Sequence, residues 1–181
     1  PVEQYQKEYN ALRLIYLHIC LLVPVIFYKC LKIKYKDCDQ NILVIISSLL
    51  LISPYFRAYA IWLGETNLAL LFLLGAFYFF LRLEGEKKIK NKYLFIFLNV
   101  LFFALAAYSR PIYSLISLYF FFKIFEKFKF GRELYIFIFS SIILSLPALY
   151  YFFILEQYPF ILMSNFFYNP TIDLYSTNIL I

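Results

Sequence analysis

The chain has 181 residues, of which 64% are hydrophobic, 23% aromatic and only 15% charged, with a net charge of +6. Soluble domains carry about a quarter charged residues, and no soluble core of this size hides so much Phe, Leu and Ile, so lipid must solvate most side chains. The basic isoelectric point of 9.1 comes with a mean hydropathy of +0.75, and the cations lie in short loops between apolar runs, which reads as membrane topology and excludes a nucleic-acid surface.

Apolar runs near the roughly 20 residues that a crossing helix needs mark six spans. The first covers residues 11–28, with Pro24 expected to kink it, and is followed by a loop with Lys29, Lys32, Lys34 and Lys36. The second covers 42–63 and ends on a polar stretch, Gly64, Glu65, Thr66 and Asn67. The third covers 68–83 and leads into a loop with Arg82, Lys87, Lys88, Lys90 and Lys92. The fourth covers 93–108 and is interrupted by Ser109, Arg110 and Pro111. The fifth covers 112–125, before a third basic loop with Lys123, Lys127, Lys129 and Arg132. The sixth covers 134–155 and contains Pro147, and residues 156–178 carry no Lys or Arg but many Tyr, Phe, Pro and Asn, as suits a membrane interface.

Of the 17 Lys and Arg, only Lys7, Arg13, Arg57 and Arg110 lie outside the three basic loops. The positive-inside rule then puts those loops in the cytoplasm and the Gly64 and Arg110 regions on the opposite face. The expected fold is an all-α polytopic transmembrane helical bundle of about six spans. Pro1 at one end and Ile179, Leu180 and Ile181 at the other, which read as the opening of a cut seventh helix, suggest a single transmembrane domain over 1–181, truncated at both ends. Cys20, Cys30 and Cys38 match no zinc or redox spacing and are expected as free thiols.

Four groups of residues do more than set topology. Arg57 stands roughly 22 Å along a helix begun at Ile42, at membrane depth in a core about 30 Å thick. An arginine there either serves a function or snorkels to lipid phosphate. Glu65 follows on the same face if that helix continues, and either pairs with Arg57, flanks one polar pocket with it, or caps a turn. Arg110 precedes Pro111, which turns its backbone away from helical angles and leaves an arginine at the tip of a tight turn. Tyr59, Trp62 and Tyr108 share this level, as an aromatic belt or as a sugar-stacking surface. His18, Glu156 and Asp173 read as a helix-to-helix hydrogen bond and two solvated carboxylates. Arginine binds phosphate through a planar, bidentate fork, so this face suits a lipid-linked phosphate.

The run Leu12, Arg13, Leu14, then residues 53–62 with Ser53, Pro54, Tyr55, Phe56, Arg57, Tyr59 and Trp62, followed by Glu65, resembles integral-membrane glycosyltransferases of the GT-C fold. Tyr108, Ser109, Arg110 and Pro111 look like the arginine-bearing outer turn of the same proteins. The dolichyl-phosphate-glucose α-1,2-glucosyltransferases and their bacterial relatives look most similar, over residues 11–122. The resemblance implies a polyprenyl-phosphate sugar as donor and inverting transfer on the non-cytoplasmic face. It also implies an acidic catalytic residue in a first outer loop, which would precede Pro1. Glu3 and Glu8 match no such motif.

On this reading Arg57 and Arg110 hold the donor phosphate, and Tyr59, Trp62, Glu65, Asn67, Tyr108 and Ser109 line the pocket. The departing polyprenyl phosphate needs its charge stabilised, and a carboxylate would deprotonate the acceptor hydroxyl. Membrane lipid, the donor and a glycan acceptor, lipid-linked or other, are the expected partners. No metal, cofactor or nucleic acid is called for. The alternatives are a transporter or flippase for lipid-linked sugars, which would show broken helices in paired halves, and a non-catalytic membrane protein. Usage rich in Lys, Ile, Phe, Tyr and Asn, with Asn169 blocked by Pro170, favours a bacterial inner membrane over the endoplasmic reticulum.

Overall fold

The computed structural model describes residues 2–153. Every regular element among them is helical: α1 (Val2–Lys34), α2 (Gln40–Ile52), α3 (Pro54–Ile61), α4 (Glu65–Gly85), α5 (Ile89–Ser109), a 3₁₀ turn (Pro111–Leu115), α6 (Ile116–Phe128) and α7 (Arg132–Phe153). The chain divides into two units, 1–144 and 145–181. Within the second, the described residues are the closing part of α7, which includes Pro147.

Each apolar run becomes helix, with three departures. The first is length: α1 has 33 residues and continues well beyond the apolar run 11–28 at both ends, with Pro24 inside it. Hydropathy marks where a helix is apolar, and the polar residues flanking the run are still good helix formers.

The second departure is a break in the expected span 42–63. α2 and α3 meet at 60°. Ser53 ends α2 with extended backbone and starts α3, its Oγ accepting the Phe56 N–H at 3.4 Å with Pro54 in the first helical turn. A serine cap followed by proline begins a helix and cannot continue one. The third is the run 112–125, where Pro111 opens a 3₁₀ turn and α6 has only 13 residues, about 20 Å of helix. Beside the expected six spans, the described residues include four helices long and apolar enough to cross a membrane, or five if the bent α2–α3 pair counts as one, and α6 is shorter than that length.

In these four helices the buried share of the most apolar stretch is only 17–39%. The rest, including Leu14, Ile15, Phe139 and Ile142, is exposed apolar surface that requires lipid. The expectations for Glu156, Asp173 and residues 179–181 lie outside the described residues.

Contacts within the first unit set helix direction. Tyr16 meets Gly64, Cys20 meets Asn67 and Cys30 meets Leu74, so α1 and α4 run parallel. Asn99 Nδ2 donates to Ala76 O at 2.8 Å, and a Cβ on Gly75 would lie 2.5 Å from the Phe102 ring, so α5 returns antiparallel and close to α4. Phe80 and Phe120 pack at 5.4 Å between ring centroids, and Lys127 reaches Glu84, so α6 again runs with α4. A core of Ala76, Phe80, Leu83, Ile96, Val100, Phe120, Ile124 and Phe137 ties α4 to α7. A smaller one of Cys20, Val23, Phe56, Ala60 and Leu71 ties α1, α3 and α4. The chain thus alternates between two ends. Residues 62–64 and Arg110 lie at one, and the three basic loops lie at the other.

Candidate functional site

The end opposite the basic loops is built around two turns. Between α3 and α4 the chain reverses through Trp62, Leu63 and Gly64. Leu63 takes φ 56°, a left-handed angle that a branched side chain rarely adopts. Gly64 lies under the Tyr59 ring, where a Cβ would come within 2.0 Å of Cδ1. Its carbonyl accepts the Tyr16 hydroxyl of α1, and its N–H donates to Tyr59 O at 2.8 Å.

At the second turn α5 ends on Ser109, and Arg110 takes extended angles, φ −142° and ψ 98°, as the residue before a proline must. Its side chain returns to the start of α4. Nη2 lies 3.0 Å from Glu65 Oε1 and donates to Thr66 Oγ1 at 2.6 Å, while the buried Nε has no acceptor among the described residues.

Of the open readings of Glu65, pairing with Arg57 is not the one formed among the described residues. It required one helix to continue from Arg57 to Glu65, and the Leu63–Gly64 reversal ends that helix at Ile61. Arg57 is exposed on α3 and makes no ion pair or side-chain hydrogen bond among the described residues.

The other expected pocket residues divide. Tyr59 packs tilted against Tyr55, with ring centroids 4.5 Å apart and hydroxyls 3.0 Å apart. Trp62 is 70% exposed. Asn67 is buried, and its Nδ2 donates to Phe56 O at 2.8 Å and approaches Cys20 Sγ at 3.7 Å, so its amide fastens α3 and α1 to α4. Ser109 Oγ donates back to Leu105 O at 2.9 Å, and the Tyr108 hydroxyl donates to Leu144 O at 2.6 Å. These three hold helices together, and Tyr55, Tyr59, Trp62, Glu65 and Arg110 lie around the two turns, with Arg57 two residues from both Tyr55 and Tyr59 and so on another side of α3.

Three further residues belong to this end. Arg13 of α1 donates from Nε to Ile61 O at 3.0 Å, and its guanidinium lies 5.6 Å from the Tyr9 ring and 5.7 Å from the Trp62 ring. A cation over an aromatic face is attracted by the ring quadrupole. Thr66 is the second tie on Arg110. Tyr55 had a sequence signal, its spacing of four from Tyr59, which puts both rings on one helical face. Arg13 stood out in the sequence as a cation outside the basic loops, but its partners did not, because they are 48 and 49 positions away along the chain.

The arrangement presents three arginines and several aromatic rings at one end of a lipid-solvated helical bundle. One of these arginines is held by a carboxylate and a hydroxyl, one is clamped by two rings, and one is exposed. Among the described residues no grouping of His, Cys, Asp and Glu could hold a metal ion. No family model, curated protein or solved structure matches the chain.

Proposed function

We propose that this chain belongs to an integral-membrane glycosyltransferase of GT-C type. It takes a sugar from a polyprenyl-phosphate donor and transfers it to a lipid-linked glycan or other acceptor on the face opposite its basic loops, which lie in the cytoplasm. The membrane is a bacterial inner membrane. In the transfer, the acceptor oxygen bonds to the anomeric carbon, and the carbon–oxygen bond to phosphate breaks with its electron pair staying on the phosphate. The acceptor proton passes to a base. The departing lipid phosphate gains charge, and guanidinium groups already oriented toward it lower the barrier without reorganising.

The observation that carries this reading is Arg110, held by Glu65 and Thr66 on a rigid turn, at the same end as the exposed Arg57. Arginine clamped by a carboxylate keeps a fixed fork direction, which suits docking of a phosphate. Tyr55, Tyr59 and Trp62 supply ring faces beside it.

The test is sugar transfer from a polyprenyl-phosphate donor in membranes carrying the protein. Arg110→Ala and Arg57→Ala are each expected to lower transfer by about 100-fold, the scale of losing one preorganised donor to developing charge. Unchanged transfer in both variants would remove the phosphate role.

One observation favours a second reading. The 60° break between α2 and α3 makes a bent apolar pair, and a discontinuous membrane helix is a device that transporters use to build substrate sites. A carrier of lipid-linked sugars would move labelled donor across the bilayer and form no glycosylated product, and the same assay distinguishes the two.

A further inference from the structure

The end carrying the basic loops has a constellation of its own, independent of the transfer reading. α4, α5 and α6 terminate together there. Lys127 Nζ, in the last turn of α6, donates to Glu84 O at the end of α4 at 3.0 Å. Phe128 closes α6, and two ammonium groups converge on its ring. Lys92 Nζ of α5 lies 5.9 Å from the ring centroid and Lys127 Nζ 5.5 Å from it.

Two like charges gathered at one ring repel each other unless an anion joins them. Neither is ion-paired among the described residues. Of the carboxylates close by in sequence, Glu84 acts electrostatically on Lys127 without forming an ion pair, and Glu86 and Glu126 are engaged elsewhere. Glu86 Oε1 accepts the Lys87 and Lys88 N–H groups at 3.0 Å, and Glu126 pairs with Lys123 at 2.8 Å. An ammonium has three donors, so Lys127 retains two after its bond to Glu84, and Lys92 retains all of its own.

The surroundings are apolar. Phe130 is 74% exposed and meets Phe125 edge-on with ring centroids 5.4 Å apart, and Ile89, at the start of α5, is 63% exposed. Paired cations beside exposed apolar side chains at the end of lipid-solvated helices match a phospholipid, with phosphate at the ammonium groups and acyl chains against the rings. A net negative head group is favoured over a zwitterionic one because choline would bring a third cation to the pair.

We propose that Lys92 and Lys127, converging on Phe128, seat the phosphate of one anionic phospholipid from the leaflet at the basic end, with Phe130 and Ile89 against its acyl chains. The seat is a defined site, distinct from general attraction of the loops to a charged surface.

The test is native mass spectrometry of the purified, delipidated protein titrated with phosphatidylglycerol or phosphatidylcholine. A first phosphatidylglycerol is expected to bind more tightly than phosphatidylcholine. Each cation near an anionic surface strengthens binding about fivefold, so Lys92→Gln combined with Lys127→Gln should weaken the first phosphatidylglycerol about 30-fold. Lys92→Arg combined with Lys127→Arg should retain it, which separates lost charge from lost fold. Lys87→Gln combined with Lys88→Gln, on the adjoining loop, should leave it unchanged. Equal binding of the two lipids, equal weakening by the loop pair, or failure of the arginine pair to bind would each overturn the proposal.

Discussion

Arg110 Nη2 sits 3.0 Å from Glu65 Oε1, so the turn after α5 is tied to the first residue of α4. The side chains remain 36% and 28% exposed, which limits such a pair to about 1 kcal/mol at most. The tie orients the guanidinium more than it stabilises the fold. On the proposed transfer reading, Glu65→Gln is expected to change thermal stability by no more than that amount while lowering sugar transfer about tenfold or more, because displacing a phosphate-binding guanidinium costs rate steeply. Parallel thermal unfolding and transfer assays check this. A variant that loses stability but retains transfer contradicts it.

Asn67 belongs to the framework. Its Nδ2 bond to Phe56 O secures α3, the segment that carries Arg57. Asn67→Ala removes that bond and is expected to cost about 1 kcal/mol, the usual net worth of one buried hydrogen bond, in water or in membranes. The measurement is a denaturation midpoint in detergent.

Gly64 has no room for a side chain. A Cβ there would run into the Tyr59 ring, and that ring packs against Tyr55. Gly64→Ala should displace Tyr59 and destabilise by about 1–3 kcal/mol, the range for forcing a methyl into a packed site. Tyr59→Ala in the same chain should recover part of that loss, and thermal unfolding of the single and double variants tests both statements.

The loop between α4 and α5 should respond to acid. The Glu86 carboxylate is held below its ordinary range, first by the Lys88 N–H, then by the Asn91 amide and the Lys87 N–H. A carboxylate depressed in the folded state stabilises above its unfolded value and loses that contribution as pH falls through the folded one. The Lys87 and Lys88 amide resonances should therefore shift together on acidification below the ordinary carboxylate range. Glu86→Gln should abolish the titration, and persistence of it in that variant would point to another group.

Thiol accessibility probes both fold and orientation. Cys38 is exposed, whereas Cys20 and Cys30 are buried. A membrane-impermeant maleimide should label Cys38 alone, and only from the cytoplasmic side. Labelling from the opposite side would reverse the assigned topology.

Much of the helical pattern was legible in the sequence. The runs 68–83 and 93–108 lie inside α4 and α5, and the basic loops fall where helices end. The extended backbone of Arg110 follows from Pro111. The break at Ser53 and Pro54 carried a readable cap signal, although continuous hydropathy across 42–63 masked it. The partner of Glu65 was not legible, because the choice between Arg57 and Arg110 depended on whether the chain reversed at Leu63 and Gly64. The framework role of Asn67 was hidden in the same way, since a polar residue beside a turn looks alike whether it faces solvent or a neighbouring helix.

What this sequence determined by itself is the solvent of each segment and the end at which each charge lies. Transfer of a side chain into lipid is an additive, local free energy, so apolar runs and charged loops can be read residue by residue. Only the tertiary structure decided which charges meet: Arg110 with Glu65, Arg13 with Trp62, and Lys92 with Lys127 over Phe128. Those meetings depend on packing between helices far apart in the chain, set by close fits such as Gly75 under Phe102. Lipid outside is as apolar as the side chains, so hydropathy is indifferent to which helix stands beside which.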